Sequence, residues 1–156
     1  MKIALVPVKL NQRETLFRLL QYSLYEESLT DLNEMNEEAL FDYPYFDAYF
    51  AEDEREAFFI RECSTEKLLG FAMVRAHDRR HSVAEFMVLP KYRRQRIGTQ
   101  AAKVCFALHD GTWEVKPAYG SLQAKRFWQH VISTITDTYE WKTDRYFFKT
   151  QKEKHP

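Results

Sequence analysis

Apolar positions recur along this chain with a period of two in some stretches and of about 3.6 in others, and the changes of period lay out its elements. Ile3 to Leu10 is aliphatic and broken by Pro7, which predicts an edge strand because proline cannot donate to a ladder. Asn11 to Glu14 has the form of a capping box, and Leu16, Leu19, Leu20 and Leu24 continue it as an amphipathic helix ending near Ser28 to Asp31. Asn33 to Leu40 is acidic and predicts a loop or a fraying turn. Phe41 to Phe50 holds six aromatics in ten residues, with Pro44 suited to the first position of a short helix. Ala57 to Cys63 and Lys67 to Ala76 predict a hairpin turning at Ser64 to Glu66, and Gly70 marks a bulge or a close backbone approach. Val83 to Leu89, after a charged turn at Asp78 to His81, predicts a buried strand ended by Pro90. Ala101, Val104, Cys105 and Leu108 predict a helix from about Gly98 to His109, with Gly111 as its C′ residue. Trp113 to Tyr119 predicts a strand, and Leu122 to Ile132 a helix with Ala124, Phe127, Trp128, Val131 and Ile132 on its apolar face. Thr138 to Lys142 and Arg145 to Thr150 close the chain as a hairpin turning at Thr143-Asp144. The result is one domain over 1–150 and a polar, fraying tail over 151–156.

Composition sharpens this in only a few places. A chain of 156 residues with 45% hydrophobic and 15% aromatic content has enough apolar surface for a real core. The formal charge is zero, which gives no support to nonspecific nucleic-acid binding, but its distribution is uneven. From Glu26 to Glu56 the only cation is Arg55, whereas from Arg75 to Lys103 only Asp78 and Glu85 oppose the cations. Such a chain is dipolar, either as ordinary solvated faces or as a basic loop facing an acidic rim that attracts a cationic amine. Cys63 and Cys105 read as reduced, buried residues, and no apolar run approaches a bilayer span, so a soluble cytoplasmic chain with no membrane partner is expected. His77, His81, His109 and His130 form no metal or triad spacing, and no metal is expected.

The chemistry gathers after Pro90. Lys91, Arg93, Arg94 and Arg96 are four cations in six residues, and Ile97-Gly98-Thr99 then opens a helix. A strand, a basic loop and a helix start make an anion site, because the first helical N–H groups lack partners and carry the positive end of the dipole. An ordinary basic connection has the same features. Arg93-Arg94-Gln95-Arg96-Ile97-Gly98 resembles the acyl-CoA signature of the GNAT N-acetyltransferase superfamily, Gln/Arg-x-x-Gly-x-Gly/Ala, preceded here by the apolar-Pro-x-Tyr-Arg run ending in Tyr92-Arg93. Arg96 stands where the first glycine is usual, and a left-handed backbone there would strain it. The tract from Trp113-Glu114-Val115 to Phe127-Trp128 also resembles a small bacterial group of uncharacterised GNAT proteins.

The resemblance implies an α/β (α+β) fold in the order β-α-α-β-β-β-α-β-α-β-β, with a mixed, mostly antiparallel sheet of six to seven strands flanked by about four helices. It implies acetyl-CoA as cofactor and direct acetyl transfer to a primary amine of a small molecule or peptide. Main chain at Phe86, Met87 and Val88 would meet pantetheine, and Arg93, Arg94, Gln95, Arg96, Ile97, Gly98 and Thr99 the pyrophosphate. Ser121 occupies the position of a CoA-binding asparagine, or simply caps its helix. Trp128 occupies that of the tyrosine acid, a function indole cannot supply; Tyr119 is another phenol that could serve. Glu85, the only charge in an apolar strand, and Glu114 are candidate bases, each otherwise a solvated or ion-paired residue. Asp42, Tyr43, Tyr45 and Asp47 are candidate acceptor-site residues in a segment that otherwise packs on the sheet. Departures at Arg96, Ser121 and Trp128 keep a second reading open, a noncatalytic acyl-CoA-binding or sensor module. The final hairpin, rich in aromatics, is a candidate for homodimer pairing.

Overall fold

The computed structural model describes residues 1–151, so the expected tail lies, beyond Gln151, outside the described residues. Seven strands form one sheet: β1 (Ile3–Pro7), β2 (Arg55–Glu62), β3 (Leu68–His77), β4 (Arg80–Val88), β5 (Gly111–Val115), β6 (Tyr139–Lys142) and β7 (Arg145–Thr150), in the order β1-β2-β3-β4-β5-β7-β6. Every adjacent pair is antiparallel except β4 with β5, which are parallel and joined by a helical crossover. Three α-helices are described, α1 (Arg13–Glu27), α2 (Ile97–Phe106) and α3 (Leu122–Ile135). The predicted helix at Pro44 is a single 3-10 turn, Asp47–Phe50, so the flanking helices number three rather than four. Its aromatics hold it by packing: Phe46 meets Phe17 and Phe50 edge to face.

The two faces of the sheet carry different layers. Leu16, Leu19, Leu20 and Leu24 of α1, with Phe41, Phe46 and Tyr49, cover Ala57, Phe59, Phe71, Met73 and Met87. On the other face α2 and α3 bring Ala102, Cys105, Phe106, Trp128, Val131 and Ile132 onto Val74, Val83, Trp113 and Val115. A fully buried Leu or Phe contributes about 1.5–3 kcal/mol, so these layers dominate the stability.

Several local expectations change. The capping box at Asn11 is absent: the Lys9 N–H donates to Gln12 Oε1 at 3.0 Å, ahead of a 3-10 turn over Leu10–Gln12, and α1 starts at Arg13. Helix α2 ends at Phe106 with Ala107 as its cap, so Gly111 is not a C′ residue; at φ 114 it begins β5. Strand β5 stops at Val115, two residues before Pro117, and α3 continues to Ile135. Cys105 is buried as expected, whereas Cys63 is exposed at the β2–β3 turn. Gly70 serves both suggested roles. The β2–β3 register shifts beside it, and a Cβ there would lie 2.0 Å from the Met87 carbonyl oxygen.

Candidate active site

Strand β4 parts from β5 within its own length. Parallel pairing runs from Arg80 opposite Thr112 to Val83 opposite Val115 and stops, while β4 continues to Val88 beside β3 alone. A bulge sits at the parting: Val74 pairs with Val83 and Met73 with Glu85, which leaves Ala84 without a partner on β3. Such an extra residue bends and twists its strand. The result is a cleft of about 370 Å³ through the sheet, between Ala84 to Phe86 on one side and Val115 to Tyr119 on the other. Trp128 of α3 lines one mouth, and Glu27 and Asp31, at and beyond the end of α1, line the other.

The open edge of β4 offers main-chain groups to this cleft. Leu89 N–H donates to the Leu69 carbonyl at 2.8 Å, so antiparallel alternation turns the Met87 main chain toward β3 and that of Phe86 and Val88 toward the open edge, where Phe86 lines the cleft. The Val88 carbonyl is already used, accepting from Arg93 Nε at 2.9 Å. Of the three residues expected to meet pantetheine, Phe86 therefore presents N–H and C=O, Val88 presents N–H, and Met87 presents neither.

The bulge also decides where Glu85 points. Simple alternation from Val83, which packs with α2 and α3, would put Glu85 on that same face; the extra residue moves it to the α1 face with Met73 and Met87. There it lines the cleft with Glu27 and Asp31. Burial first, and the Glu27 charge next, push its pKa up to about 8, against a smaller lowering by the nearby Tyr43 phenol. Glu27 is itself raised to about 7 by burial, with Asp31 and Glu26 adding to the rise. Glu27 was not among the expected site residues, although a signal existed: it follows Leu16, Leu20 and Leu24 at helical spacing, an acid on an apolar stripe.

Glu114 is differently placed. It is 4% exposed and accepts from Ser82 Oγ at 2.9 Å, with His77 Nε2 at 2.7 Å and Arg80 and Arg145 at 3.4 and 3.7 Å. Burial would raise its pKa, but the Ser82 hydrogen bond and the His77 and Arg145 charges outweigh this and hold it below the usual carboxylate range. A carboxylate so engaged is a structural anion and a poor proton acceptor.

The loop after β4 runs through a 3-10 turn over Pro90–Tyr92 into the N-terminus of α2. Arg94 and Arg96 both sit in the left-handed region, at φ 64 and 63, and Arg96 is the N-cap of α2 with no side-chain cap. The N–H groups of the first turn, Ile97 to Thr99, are thus left for a ligand. Arg93 is committed elsewhere, bridging to Glu26 at 2.8 Å, and Gln95 donates to the Lys91 carbonyl. Among the described residues Arg94 and Arg96 have no ion pair. Gly98 is helical, and its missing Cβ admits the Phe127 ring, 3.2 Å from where that atom would stand; its smallness serves α2–α3 packing.

The remaining candidates divide. Tyr43 and Tyr45 line a second pocket of about 230 Å³ that shares Val83, Ala84 and Lys116 with the cleft. Asp47 is bound to Arg13 and Asp42 accepts from Asn36, and neither lines the cleft or this second pocket. Ser121 accepts from the Ala124 N–H at 3.1 Å, the N-cap of α3. Tyr119 is exposed at the cleft mouth, its carbonyl accepting from the Thr30 hydroxyl. Trp128 is 6% exposed, packed edge to face on Phe86 and Phe127.

A mixed sheet parted after a bulge, with a helix starting just beyond the parting strand, makes this an α/β domain with a cleft between two parallel strands. Residues 21–130 match the acetyltransferase (GNAT) family, and the chain belongs to that family. Its fold is similar to an acetyltransferase from Thermus thermophilus, with a TM-score of 0.71 at 14% identity over 96% of this chain and 97% of that one. It is also similar to a spermidine N-acetyltransferase from Vibrio cholerae in complex with CoA and spermine, with a TM-score of 0.67 at 8% identity over 95% of each chain. A third is a GNAT-family acetyltransferase of Staphylococcus aureus, with a TM-score of 0.62 at 12% identity over 96% of this chain and all of that one. Among curated proteins none matches this chain. Among the described residues no helix is long and apolar enough to cross a membrane, and no group of His, Cys, Asp and Glu is arranged to hold a metal.

Proposed function

We propose that this chain is an acetyl-CoA-dependent N-acetyltransferase acting directly on a primary amine. The observation that carries the reading is the parting of β4 from β5, which leaves the Phe86 and Val88 main chain on an open strand edge, Phe86 lining a cleft that also holds Glu85. Acetyl-CoA supplies the thioester: the amine attacks its acetyl carbon, and the C–N bond forms as the C–S bond breaks. Phe86 N–H and C=O and Val88 N–H pair with the pantetheine amides as a further strand would, and an N–H aimed at the thioester oxygen lowers the barrier by about 3 kcal/mol. Arg94, Arg96 and the N–H groups of Ile97 to Thr99 hold the pyrophosphate. Glu27 and Asp31 draw an ammonium into the cleft, and Glu85 takes its proton, directly or through water. Tyr119, the phenol at the cleft mouth, protonates the leaving thiolate and is restored by the second proton that the nitrogen sheds as the amide forms, while Glu85 releases the first to solvent.

Calorimetric titration of acetyl-CoA, CoA and, as control, ATP tests the cofactor site, followed by an amine screen with thiol detection. Acetyl-CoA is expected to bind selectively, and turnover to rise with pH through about 8 as Glu85 ionises. Glu85→Gln should lower turnover by about 100-fold or more and remove that limb while keeping cofactor affinity. Absence of acetyl-CoA binding would overturn the reading, and an unaltered pH–rate profile in Glu85→Gln would remove Glu85 as base.

A further inference from the structure

The second pocket has a charge problem that the chain does not solve. Arg55 of β2 lies directly opposite Arg75 of β3, a like-charge cross-strand pair that is unfavourable unless something anionic lies beside it. Arg55 has its acid, Glu52, at 3.0 Å, and it stacks over Tyr45 and Tyr49. Beyond Arg75 the same row continues through Ser82 to Glu114, but Glu114 is taken up by Ser82, His77, Arg80 and Arg145. Lys116 and Arg145 share Asp144. Arg75 is half-buried and lines the pocket, and among the described residues its guanidinium makes no hydrogen bond or ion pair.

A second observation points to the same place. Tyr49, also lining the pocket, is 6% exposed, and its hydroxyl is the one fully buried side-chain polar atom among the described residues without a hydrogen-bond partner. The Tyr43 phenol and Arg55 come near it without completing a hydrogen bond. Leaving such a hydroxyl unpaired costs about 1–3 kcal/mol. A guanidinium with a free fork and a phenol with a free O–H are the donor set for one oxyanion.

The position of this set relative to the cleft gives it meaning. Glu85 faces Met73 across the β3–β4 ladder, and Arg75 lies two residues further along β3 on the same face, roughly 6–7 Å on. The acidic cleft and the basic pocket meet at Val83 and Ala84. A ligand crossing that junction meets carboxylates at one end and an unpaired cation at the other.

We infer that the pocket at Arg75 and Tyr49 is the acceptor's anion subsite, so that the acceptor is an amine carrying a carboxylate or phosphate a few atoms away, such as an amino acid or an amino-alkyl phosphate, and not a polyamine. The assignment rests on the acetyl-transfer reading for the amine end; the anion subsite itself does not. In the full chain, acetate, inorganic phosphate and chloride are titrated while the Arg75 Nε–H resonance is followed. A saturable shift with acetate or phosphate but not chloride is expected, at least fivefold weaker in Tyr49→Phe, and the Nε–H of Arg55 in the same pocket should shift with the same anions in the parent and no longer do so in Arg75→Gln. Which of the two anions saturates assigns the group, and no saturable shift with either overturns the subsite. Matched amines then test the acceptor: amino acids against their carboxamides, and phosphoethanolamine against ethanolamine. The anionic member should have at least tenfold higher kcat/KM, through KM, and Arg75→Gln should bring the ratio near one by raising the KM of the anionic member. Equal or better use of neutral amines or diamines overturns the acceptor class. Anion binding with no acetylation of any amine would leave the subsite standing and remove the acetyl-transfer reading.

Discussion

Arginine at a left-handed position is the least expected residue in the loop after β4. Arg96, at φ 63 and ψ 12, takes the conformation that the family's usual glycine takes without strain, and Arg94 repeats it two residues earlier. A left-handed non-glycine residue costs about 1–2 kcal/mol, part of which glycine forfeits through its greater unfolded-chain freedom. What Arg96 adds is a cation that, among the described residues, has no ion pair, at the N-terminus of α2 where the proposed pyrophosphate site lies. Arg96→Gly is therefore expected to stabilise the fold by roughly 1 kcal/mol, a rise of about 2–4 °C in a chain of this size, and to weaken acetyl-CoA binding. Arg96→Lys keeps both charge and strain and should change neither by much. Thermal melts and calorimetry on the two variants check this. A Gly variant that melts lower would show that Arg96 is not strained, and one that binds acetyl-CoA as tightly would show that its charge is idle.

At the scale of elements, the site depends on how three strands are held. Gly70 is where β3 comes closest to β4: a methyl group would stand 2.0 Å from the Met87 carbonyl oxygen and 3.0 Å from Val88 Cα, both main-chain atoms of the strand that forms the cleft. Neither can move as a side chain could. Gly70→Ala should cost at least about 2 kcal/mol and lower the melting temperature by about 4 °C or more. Because the shift falls on the edge proposed to meet pantetheine, acetyl-CoA affinity should drop with it; a melting temperature within about 1 °C of the parent would show that the strands slide apart freely. Gly70 was legible in the sequence because a glycine inside an apolar run has few other uses. So were the hairpins, whose period of two survives in Ala57 to Ala76 and in the final pair, and the crossover into α2. The Ala84 bulge was not. Val83-Ala84-Glu85-Phe86 carries no glycine or proline to announce an extra residue, so the face that Glu85 takes could be read only from the pairing with β3. The helix expected at Pro44 failed for a related reason: six aromatics can be satisfied by packing over the sheet in any compact backbone, and their period was too short to choose one. Arg75 and Tyr49, far apart in the chain, gave no sign of sharing a pocket.

For the whole molecule, the buried acids set a stability profile whose sign differs from group to group. Glu114, with its pKa depressed, contributes stability above the ordinary carboxylate range that is lost as pH falls through its folded value. His81, lowered by burial and by the stacked His109 ring, is likewise favoured neutral, and its contribution is lost as pH falls below about 6.5. Glu27 and Glu85 act in the opposite sense. Their folded values, about 7 and about 8, lie above the ordinary carboxylate range, so their contribution is complete in acid and is lost as pH rises through those values. Two groups lose stability between about pH 5 and 8 while His81 alone gains over part of that range. The fold should therefore be most stable near about pH 5 and measurably weaker at about pH 8, where Glu85 must be ionised to accept a proton. Urea unfolding at about pH 5, 6.5 and 8 is expected to show that decline, and Glu85→Gln to lose less of its stability over the interval and to exceed the parent at the alkaline end. A parent that is most stable at the alkaline end, or a variant with the same decline, would place Glu85 in water and away from Glu27. A bound ammonium in the cleft should reverse the trend, because a cation among Glu27, Asp31 and Glu85 favours their charged forms; an acceptor amine that stabilises the chain more at about pH 8 than at about pH 5 would be occupying that cleft.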